Sequence, residues 1–457
     1  MKRLGWRAGL LALGPAIAAG CGGIGGGSPS ATVPRAPASA HAGVGHKIQH
    51  VVVIIQENRS FDNLFHDFPG ADSADYGKMS TGSWVKLQPE SLAKAMDISH
   101  THRAFTTEYD DGKVDGFDLV PSRCNKHLPP SRCGPNDLHA FGYVPEKEIK
   151  PYWTLASEYT LADHMFQTNQ GPSFPAHQYL VSGTSKISND SSLWAAENPH
   201  DRHVAGSGGC DSRRGTTVRV LDSKGQENRE VFPCFTRVSL MDRVAAGQLT
   251  WRYYQAHLGR GLWNAPDAIR NIRYGRYYRT EVMAPETRVL DDIAEGSLAN
   301  VVWVTPTKDS SDHPGVTDGS GPSWVASVVN AIGESKYWDD TAIFITWDDW
   351  GGWYDHEPPR QLNAYELGFR VPLIVVSGYA KRHYISHDEH EFGSILKFTE
   401  EAFGLASLQT TDVRSDDLSD CFDFSKPPTR FKRVPAQLGR DYFLARPMSD
   451  ADPDDDY

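Results

Sequence analysis

Residues 50–65 of the chain read HVVVIIQENRSFDNLF, an apolar run followed at once by polar residues. The run HVVVII is β-branched and does not alternate with polar residues, which is typical of a strand covered on both faces. Three further runs have the same character: ANVVWVT at residues 299–305, TAIFITW at 341–347 and VPLIVVS at 371–377. We interpret all four as parallel strands of one buried sheet.

Helical patterns lie between some of these runs. Apolar residues recur at helical spacing in two segments, residues 323–335 and residues 394–403. Strands that alternate with helices predict an α/β fold, which we expect to be a central, mostly parallel sheet flanked by helices. Residues 79–150 and 189–243 are rich in polar and turn residues. We interpret them as long insertions that cover the sheet edge or shape the site.

Composition and charge narrow the class of protein. The chain has 457 residues, of which 39% are hydrophobic and 11% aromatic, an ordinary balance for a packed globular protein. Its formal net charge is −12, and a field of that sign does not attract nucleic acid. We therefore expect no nucleic-acid partner. A small anionic substrate is not excluded, because a bound metal ion can reverse the sign locally.

The N-terminus has the layout of an export signal. Three basic residues among the first seven precede a short apolar stretch at residues 8–19, which ends in Ala18-Ala19-Gly20-Cys21. This order predicts a signal peptide over residues 1–21, with an apolar part too short for a membrane span. It resembles a bacterial lipoprotein signal, in which the cysteine is lipidated, although Ala18 stands where leucine is usual. The alternative is an ordinary cleavable signal with an incidental cysteine.

The remaining chain divides by composition. Residues 22–46 are rich in Gly, Pro, Ser and Ala and are expected to form a flexible tether. Residues 47–448 would form the folded domain, and residues 449–457, with five Asp, a disordered acidic tail. We expect an exported protein of the periplasm or cell surface. Its contact with a membrane would be limited to a lipid anchor at Cys21.

Cysteines suggest local bridges. Six occur, and without Cys21 five remain in a compartment that favours disulfides. The pairs Cys124–Cys133 and Cys210–Cys234 are nearest in sequence and are the predicted bridges, which would leave Cys421 free. Connectivity does not follow from sequence alone. The spacing of the cysteines matches no zinc motif.

Polar ligands follow the first apolar run directly. Glu57 and Asn58 come just after it, and ligands of open α/β sheets bind beyond the carboxyl ends of the strands. Carboxylate and amide oxygens are hard ligands for a cation. The alternative is a polar turn between strand and helix, with Asn58 as a cap.

A second polar segment follows the run at residues 341–347. It reads DDWGGWYDH at residues 348–356. The adjacent carboxylates of Asp348 and Asp349 repel one another unless a cation or a proton intervenes, so the pattern indicates metal binding. Asp355 and His356 add a further ligand or an acid–base pair. The alternative is a solvated acidic loop.

A serine lies in a third segment. Residues 168–175 read TNQGPSFP, a tight turn that opens a helix with Pro175 near its first position. Ser173 would lie near the helix N-terminus, where free N–H groups favour a phosphate, and is a candidate nucleophile. The alternative is a simple Ser N-cap. His100, close behind Asp97, and His313, beside Asp312, also have suggestive surroundings, although a lone histidine is more often structural.

Together these segments resemble the bacterial phosphoesterase family that contains non-haemolytic phospholipases C and acid phosphatases. The matching segments occur in the family's order and span residues 47–424. They are residues 50–65, Asp115-Gly116-Phe117, residues 155–175, residues 348–356, Phe369-Arg370-Val371-Pro372, and His390 with residues 394–398. The resemblance implies a fold similar to the alkaline phosphatase superfamily.

The resemblance also implies roles for matching residues. The ligands of a metal ion would be Glu57, Asn58, Ser173, Asp348 and Asp349. The catalytic groups would be Ser173 as nucleophile and three histidines that contact phosphate or protonate the leaving group, His100, His313 and His356. We expect one divalent ion, because the sequence pattern alone does not assemble a second His/Asp set of equal quality. Oxygen ligands suit Ca²⁺, Mg²⁺ or Mn²⁺, and histidine participation admits Fe or Zn.

The implied function is hydrolysis of phosphate esters. The expected enzyme is an exported, metal-dependent phosphoesterase that cleaves phosphomonoesters, like an acid phosphatase, through a phosphoseryl intermediate. The alternatives are a phospholipase C that acts on phosphatidylcholine-type lipids and a non-catalytic surface lipoprotein. A sulfatase is more distant. Ala176 and His177 depart from the family's Asn and Arg, and Trp350 stands where a His is common. The missing Arg removes a bidentate phosphate contact.

Overall fold

An eight-stranded sheet forms the centre of the computed structural model, which describes residues 47–122, 138–200, 208–259 and 262–447. All described residues belong to one unit, His41–Tyr457. The predicted signal peptide, tether and acidic tail lie outside the described residues.

The strands, in chain order, are β1 (His50–Gln56), β2 (Tyr76–Lys78), β3 (Trp84–Lys86), β4 (Gln88–Pro89), β5 (Gly142–Tyr143), β6 (Thr160–Ala162), β7 (Met165–Phe166), β8 (Trp194–Ala195), β9 (Val218–Leu221), β10 (Arg229–Val231), β11 (Trp251–Tyr254), β12 (Val282–Met283), β13 (Val301–Val304), β14 (Thr341–Trp347), β15 (Leu373–Ser377), β16 (Tyr384–Ser386) and β17 (His390–Glu391). The α-helices are α1 (Phe61–Phe65), α2 (His102–Tyr109), α3 (Lys150–Glu158), α4 (Ser173–Ser182), α5 (Leu240–Ala246), α6 (Ala265–Ala268), α7 (Arg270–Arg273), α8 (Tyr278–Glu281), α9 (Arg288–Glu295), α10 (Gly321–Gly333), α11 (Phe392–Phe403) and α12 (Arg440–Ala445).

The central sheet has the order β12-β11-β13-β1-β14-β15-β6-β16. All neighbouring pairs are parallel except those of β15, which runs antiparallel to β14 and to β6. The prediction of a mostly parallel α/β sheet is confirmed. The prediction that residues 371–377 form a parallel strand is wrong. Every residue of β15 is buried, and an apolar, β-branched run reports burial on both faces without reporting strand direction.

Helices cover both faces of this sheet. Trp303 and Phe344 both lie in register with Val53 and therefore point to one face. Trp303 donates a hydrogen bond to α4 and Phe344 packs against α11. Trp347 lies three residues beyond Phe344 and points to the other face, where it packs against α3. Helices α10 and α11 confirm the two predicted helical segments.

The described helices are short. The longest, α10, has 13 residues. In the described ranges, no helix combines the length and the apolar character needed to cross a bilayer.

The predicted insertions carry small sheets and a disulfide. Strands β8, β9 and β10 form a three-stranded sheet within the second insertion. Cys210 and Cys234 are bridged there, and Cys421 is a buried thiol, as predicted. Cys124 and Cys133 lie outside the described residues, so that predicted bridge remains a prediction.

Loss of the Cys210–Cys234 bridge should destabilise the protein. The bridge closes a loop with a sequence separation of 24, for which the chain-entropy model gives about 3 kcal/mol of stabilisation. The double variant Cys210→Ser/Cys234→Ser should therefore unfold at lower denaturant concentration than the wild type. In reductant, the wild type and the variant should unfold at the same midpoint. Equal midpoints for the oxidised wild type and the variant would contradict this contribution.

Candidate active site

The two central strands bring the predicted acidic segments together. Gln56 at the end of β1 is in register with Trp347 at the end of β14, and Asp348 N donates to Gln56 O at 3.0 Å. Asn58 N then donates to Asp348 Oδ1 at 3.1 Å. Glu57, Asn58, Asp348 and Asp349 are all fully buried. The structure thus brings together four residues that the family resemblance assigned to one ligand set.

Tight backbone turns hold this edge in place. Asn58 has φ of 57°, a left-handed conformation that asparagine tolerates better than most residues. Gly351 has φ of 64°, and a Cβ there would lie 2.3 Å from Asn58 O. Only glycine allows the loop after Asp349 to pass this close to Asn58.

Ser173 joins the cluster as the first residue of α4. The N-cap is Pro172, so the serine does not cap the helix. Its Oγ instead donates to Asp349 Oδ2 at 3.1 Å and lies 3.4 Å from Asn58 Nδ2. The side chain thus faces the carboxylates at the positive end of a ten-residue helix.

His100 orients the amide of Asn58. Its Nδ1 lies 2.7 Å from Ile98 O and so carries the hydrogen, which leaves Nε2 to accept from Asn58 Nδ2 at 2.8 Å. The same amide nitrogen faces two further acceptors, Ser173 Oγ and Asp349 Oδ2, which supports this assignment of nitrogen and oxygen. Asn58 Oδ1 therefore points the other way, where it is buried without a hydrogen-bond partner among the described residues.

His177 also belongs to the cluster. From the sequence it was noted only as a departure from the family's pattern. Its Nε2 is 2.9 Å from Glu57 Oε1 and 3.7 Å from Asp348 Oδ2. Burial lowers the pKa of His177 to about 4, against the attraction of Asp348, so its ring is neutral and able to act as a ligand. The sequence did contain a signal for His177 as a site residue. It follows Ser173 by four residues, which places both side chains on one face of α4.

The cluster suits a divalent cation. One ligand atom each from Glu57, His177 and Asp348 lie within 4.8 Å of one another. Asp348 Oδ2, like Asn58 Oδ1, is buried and has no hydrogen-bond partner in the described part of the chain. Buried oxygens that lack a hydrogen-bond partner, beside three buried carboxylates, raise the free energy of the folded state unless a positive charge is close by. The residues present therefore fit a metal ion held by oxygen and imidazole ligands.

The remaining predicted histidines differ in position. His313 lies beside the cluster, with its ring centroid 6.0 Å from that of His100 and its Nδ1 2.8 Å from Pro314 O. His356 lies elsewhere: its Nδ1 is 2.7 Å from Asp62 Oδ2 and its Nε2 is 3.2 Å from Asp72 Oδ1. No described contact joins His356 to Ser173, because the chain after Gly352 turns toward α1. His356 therefore lies outside the cluster around Ser173.

His356 belongs to an adjoining charged network. Arg370 Nε donates to Asp355 Oδ1 at 2.8 Å, and Arg370 Nη2 lies 3.1 Å from His356 Nδ1. Burial opposes protonation of His356, but the hydrogen bond to Asp62 outweighs it and raises the pKa to about 9. This network connects α1 to the segment that follows Asp348 and Asp349.

The raised pKa of His356 predicts a pH-dependent stability. The folded state binds a proton more tightly than the unfolded state, so the contribution is complete below pH 6.5 and is lost as the pH rises to about 9. The loss is on the order of 3 kcal/mol. Denaturant unfolding at several pH values should show the decline, and His356→Asn should flatten it. A wild-type stability that does not fall over this interval would contradict the assignment.

Buried carboxylates and an amide, at the strand ends of an α/β sheet, can hold a cation beside the hydroxyl of a helix-terminal serine. The chain belongs to the Phosphoesterase family, whose model matches residues 48–406. Members of this family are metal-dependent phosphoric ester hydrolases, in agreement with the cluster.

Similar proteins include phospholipases C. The haemolytic phospholipase C of Pseudomonas aeruginosa is 25% identical over 441 residues, which cover 82% of this chain and 56% of the relative. Phospholipase C B of Mycobacterium tuberculosis is 22% identical, with 84% of this chain and 79% of that protein covered. The chain thus spans little more than half of the Pseudomonas relative.

Solved structures give a more distant similarity. A protein of the alkaline phosphatase superfamily from Vibrio parahaemolyticus matches with a TM-score of 0.37 and 10% identity, over 84% of this chain and 71% of that one.

Proposed function

We propose that this protein hydrolyses phosphate esters through Ser173 as the nucleophile, with a divalent metal ion held by Glu57, Asn58, Asp348 and Asp349. The observation that carries the proposal is the hydrogen bond from Ser173 Oγ to Asp349 Oδ2, at 3.1 Å. It directs the hydroxyl hydrogen at a carboxylate, and with Asn58 Nδ2 donating to the same oxygen one lone pair is left for an incoming phosphorus.

His177 extends the proposed ligand set. It contacts Glu57 and Asp348 through Nε2, the nitrogen that a neutral imidazole offers to a metal. With His177 included, the proposed site has both oxygen and nitrogen ligands, which favours Mn²⁺, Fe²⁺ or Zn²⁺ over Ca²⁺ and Mg²⁺.

The proposed reaction has two steps. When bound, the metal ion supplies positive charge that lowers the pKa of a hydroxyl and stabilises charge on phosphoryl oxygens. Ser173 Oγ forms a bond to phosphorus while the bond from phosphorus to the alcohol oxygen breaks, and the hydroxyl proton moves toward Asp349. His313 protonates the departing alcohol, because His100 Nε2 is engaged by Asn58. Water then hydrolyses the phosphoserine.

The substrate separates two candidates. Our first candidate is a phosphomonoester, as in an acid phosphatase, which would release inorganic phosphate. A phospholipase C is favoured by the names of the relatives and would release a phosphorylated head group from a phospholipid. Both use the same proposed nucleophile and metal ion, so the released product distinguishes them.

A direct assay tests the proposed activity. Purified protein should release nitrophenol from p-nitrophenyl phosphate or phosphocholine from phosphatidylcholine, across acid to neutral pH. Chelator should abolish turnover, and Mn²⁺ or Zn²⁺ should restore it, because the carboxylates repel one another without a cation. Absence of turnover on both substrates by metal-loaded, folded protein would contradict the proposed function and favour a binding role.

We also propose that residues 1–21 direct export and that Cys21 carries a lipid. The support is the order of basic, apolar and small residues before Cys21. Metabolic labelling with a fatty acid should mark the wild type and leave Cys21→Ser unlabelled.

A further inference from the structure

A second group of metal-ligating side chains lies apart from the proposed active site. Asp163 and His164 directly follow β6, and His387 directly follows β16. Strands β6 and β16 are parallel neighbours with Ala162 in register with Ser386, so the residues after them are brought side by side. His387 Nδ1 lies 2.8 Å from Asp163 Oδ2, and His164 Nδ1 lies 3.0 Å from Asp163 Oδ1.

These three residues converge on one point. A ligand atom from each lies within 4.8 Å of the other two, close enough for one ion to be bound by all three. The other nitrogen of His164, Nε2, lies 3.3 Å from Asp72 Oδ2. A carboxylate on the far nitrogen of an imidazole is the usual partner of a metal-binding histidine, because it fixes the ring and its tautomer.

Access and charge also suit an ion at this place. The side chain of His387 is 59% exposed and that of Asp163 is fully buried, so an ion could enter from solvent and reach an anionic anchor. Arg370 lies nearby but directs Nη1 to the backbone oxygens of Asp72 and Asp163, at 2.9 and 2.7 Å. The carboxylate of Asp163 accepts from Asp72 N at 2.8 Å through Oδ2, and its other side-chain contacts in the described residues are with the two histidines.

The neighbouring group of Asp62, Asp355 and His356 gives a useful contrast. Its ligand atoms are equally close, but Arg370 donates to the carboxylates of both Asp355 and Asp62. A guanidinium already occupies the position of a cation there. We therefore place no ion in that group.

We propose that Asp163, His164 and His387 bind a divalent transition-metal ion, with Asp72 orienting His164 and solvent completing the coordination. Two imidazoles and one carboxylate favour Zn²⁺ and similar ions over Ca²⁺ or Mg²⁺. The ion would join the end of β16 to the segment after β6 that continues through β7 toward Ser173. Its role is structural, and it takes no part in ester hydrolysis.

Zinc binding by the full chain tests this site without any measurement of turnover. Protein stripped with chelator is dialysed against Zn²⁺ alone near neutral pH, and zinc per chain is counted. In the Asp348→Asn background, where the proposed active site is weakened, one zinc should remain. Adding His387→Asn should lower the affinity of that zinc at least about tenfold.

Two comparisons make the result specific. His383→Asn replaces a nearby exposed histidine whose Nδ1 lies against Ser157 O, and asparagine accepts its left-handed φ of 52°. It should leave zinc binding unchanged. In the otherwise wild-type chain, His387→Asn alone should remove one equivalent of zinc. This comparison does not depend on whether the Asp348→Asn protein folds. If His387→Asn retains all zinc, or the wild type binds none outside the active site, the proposal is wrong, and the Ser173 mechanism is unaffected.

Discussion

Replacing Ser173 by alanine should lower kcat at least about 1,000-fold on the ester that the wild type hydrolyses, because the variant has no atom that can form a bond to phosphorus. The substitution removes one buried oxygen and keeps the backbone of α4. The loss should therefore appear in kcat while the protein stays folded and binds its metal ion. Steady-state kinetics together with a metal count per chain measure both.

The matched control lies at the other end of the same helix. Ser182 is also buried, and its hydroxyl has no hydrogen-bond partner among the described residues. Ser182→Ala should retain wild-type kinetics. If Ser173→Ala kept turnover close to that of Ser182→Ala, Ser173 would not be the nucleophile.

Replacing Asp348 by asparagine should remove the metal ion and lower kcat/KM at least about 100-fold, an effect at least as large as that of groups that only orient ligands. Asparagine has the same shape, and its Oδ1 can still accept the hydrogen bond from Asn58 N. The change is therefore mainly the loss of one negative charge from the cluster. Metal content should fall together with activity, and excess metal should restore part of both.

Asp339→Asn provides the comparison for charge. Asp339 is exposed and lies just before β14, at the opposite end of the strand that leads to Asp348. It should bind metal and turn over substrate as the wild type does. Full metal content in Asp348→Asn would contradict the assignment of Asp348 as a ligand.

The strand ends could be predicted from the sequence because local pattern and sheet geometry act together there. The runs before Glu57 and Asp348 are apolar and β-branched, and parallel strands end at one edge of a sheet. The family resemblance then placed the two polar segments that follow these runs in one ligand set. Ser173 was placed correctly at a helix start because Gly171 and Pro172 mark the turn before it.

Other features depend on contacts between distant segments. The direction of β15 is set by its connections, and its apolar residues look alike in either direction. The role of His177 depends on Glu57 and Asp348, which reach it only in the fold. His356 was expected at the active site because it lies in the polar segment after β14 and matches the family, but Asp62 and Arg370 hold it in another network. The pairing of Asp163 with His387 likewise arises from the register of β6 with β16.

The most direct test of the account is to quench the enzyme in acid during turnover and to map phosphorylation by mass spectrometry. We expect a phosphorylated peptide with the modification on Ser173, seen only with metal and substrate present and lost in Ser173→Ala. For a phospholipid substrate, the adduct on Ser173 would carry the head group as well. Steady turnover with an unmodified Ser173, or an adduct on another residue, would contradict the central claim.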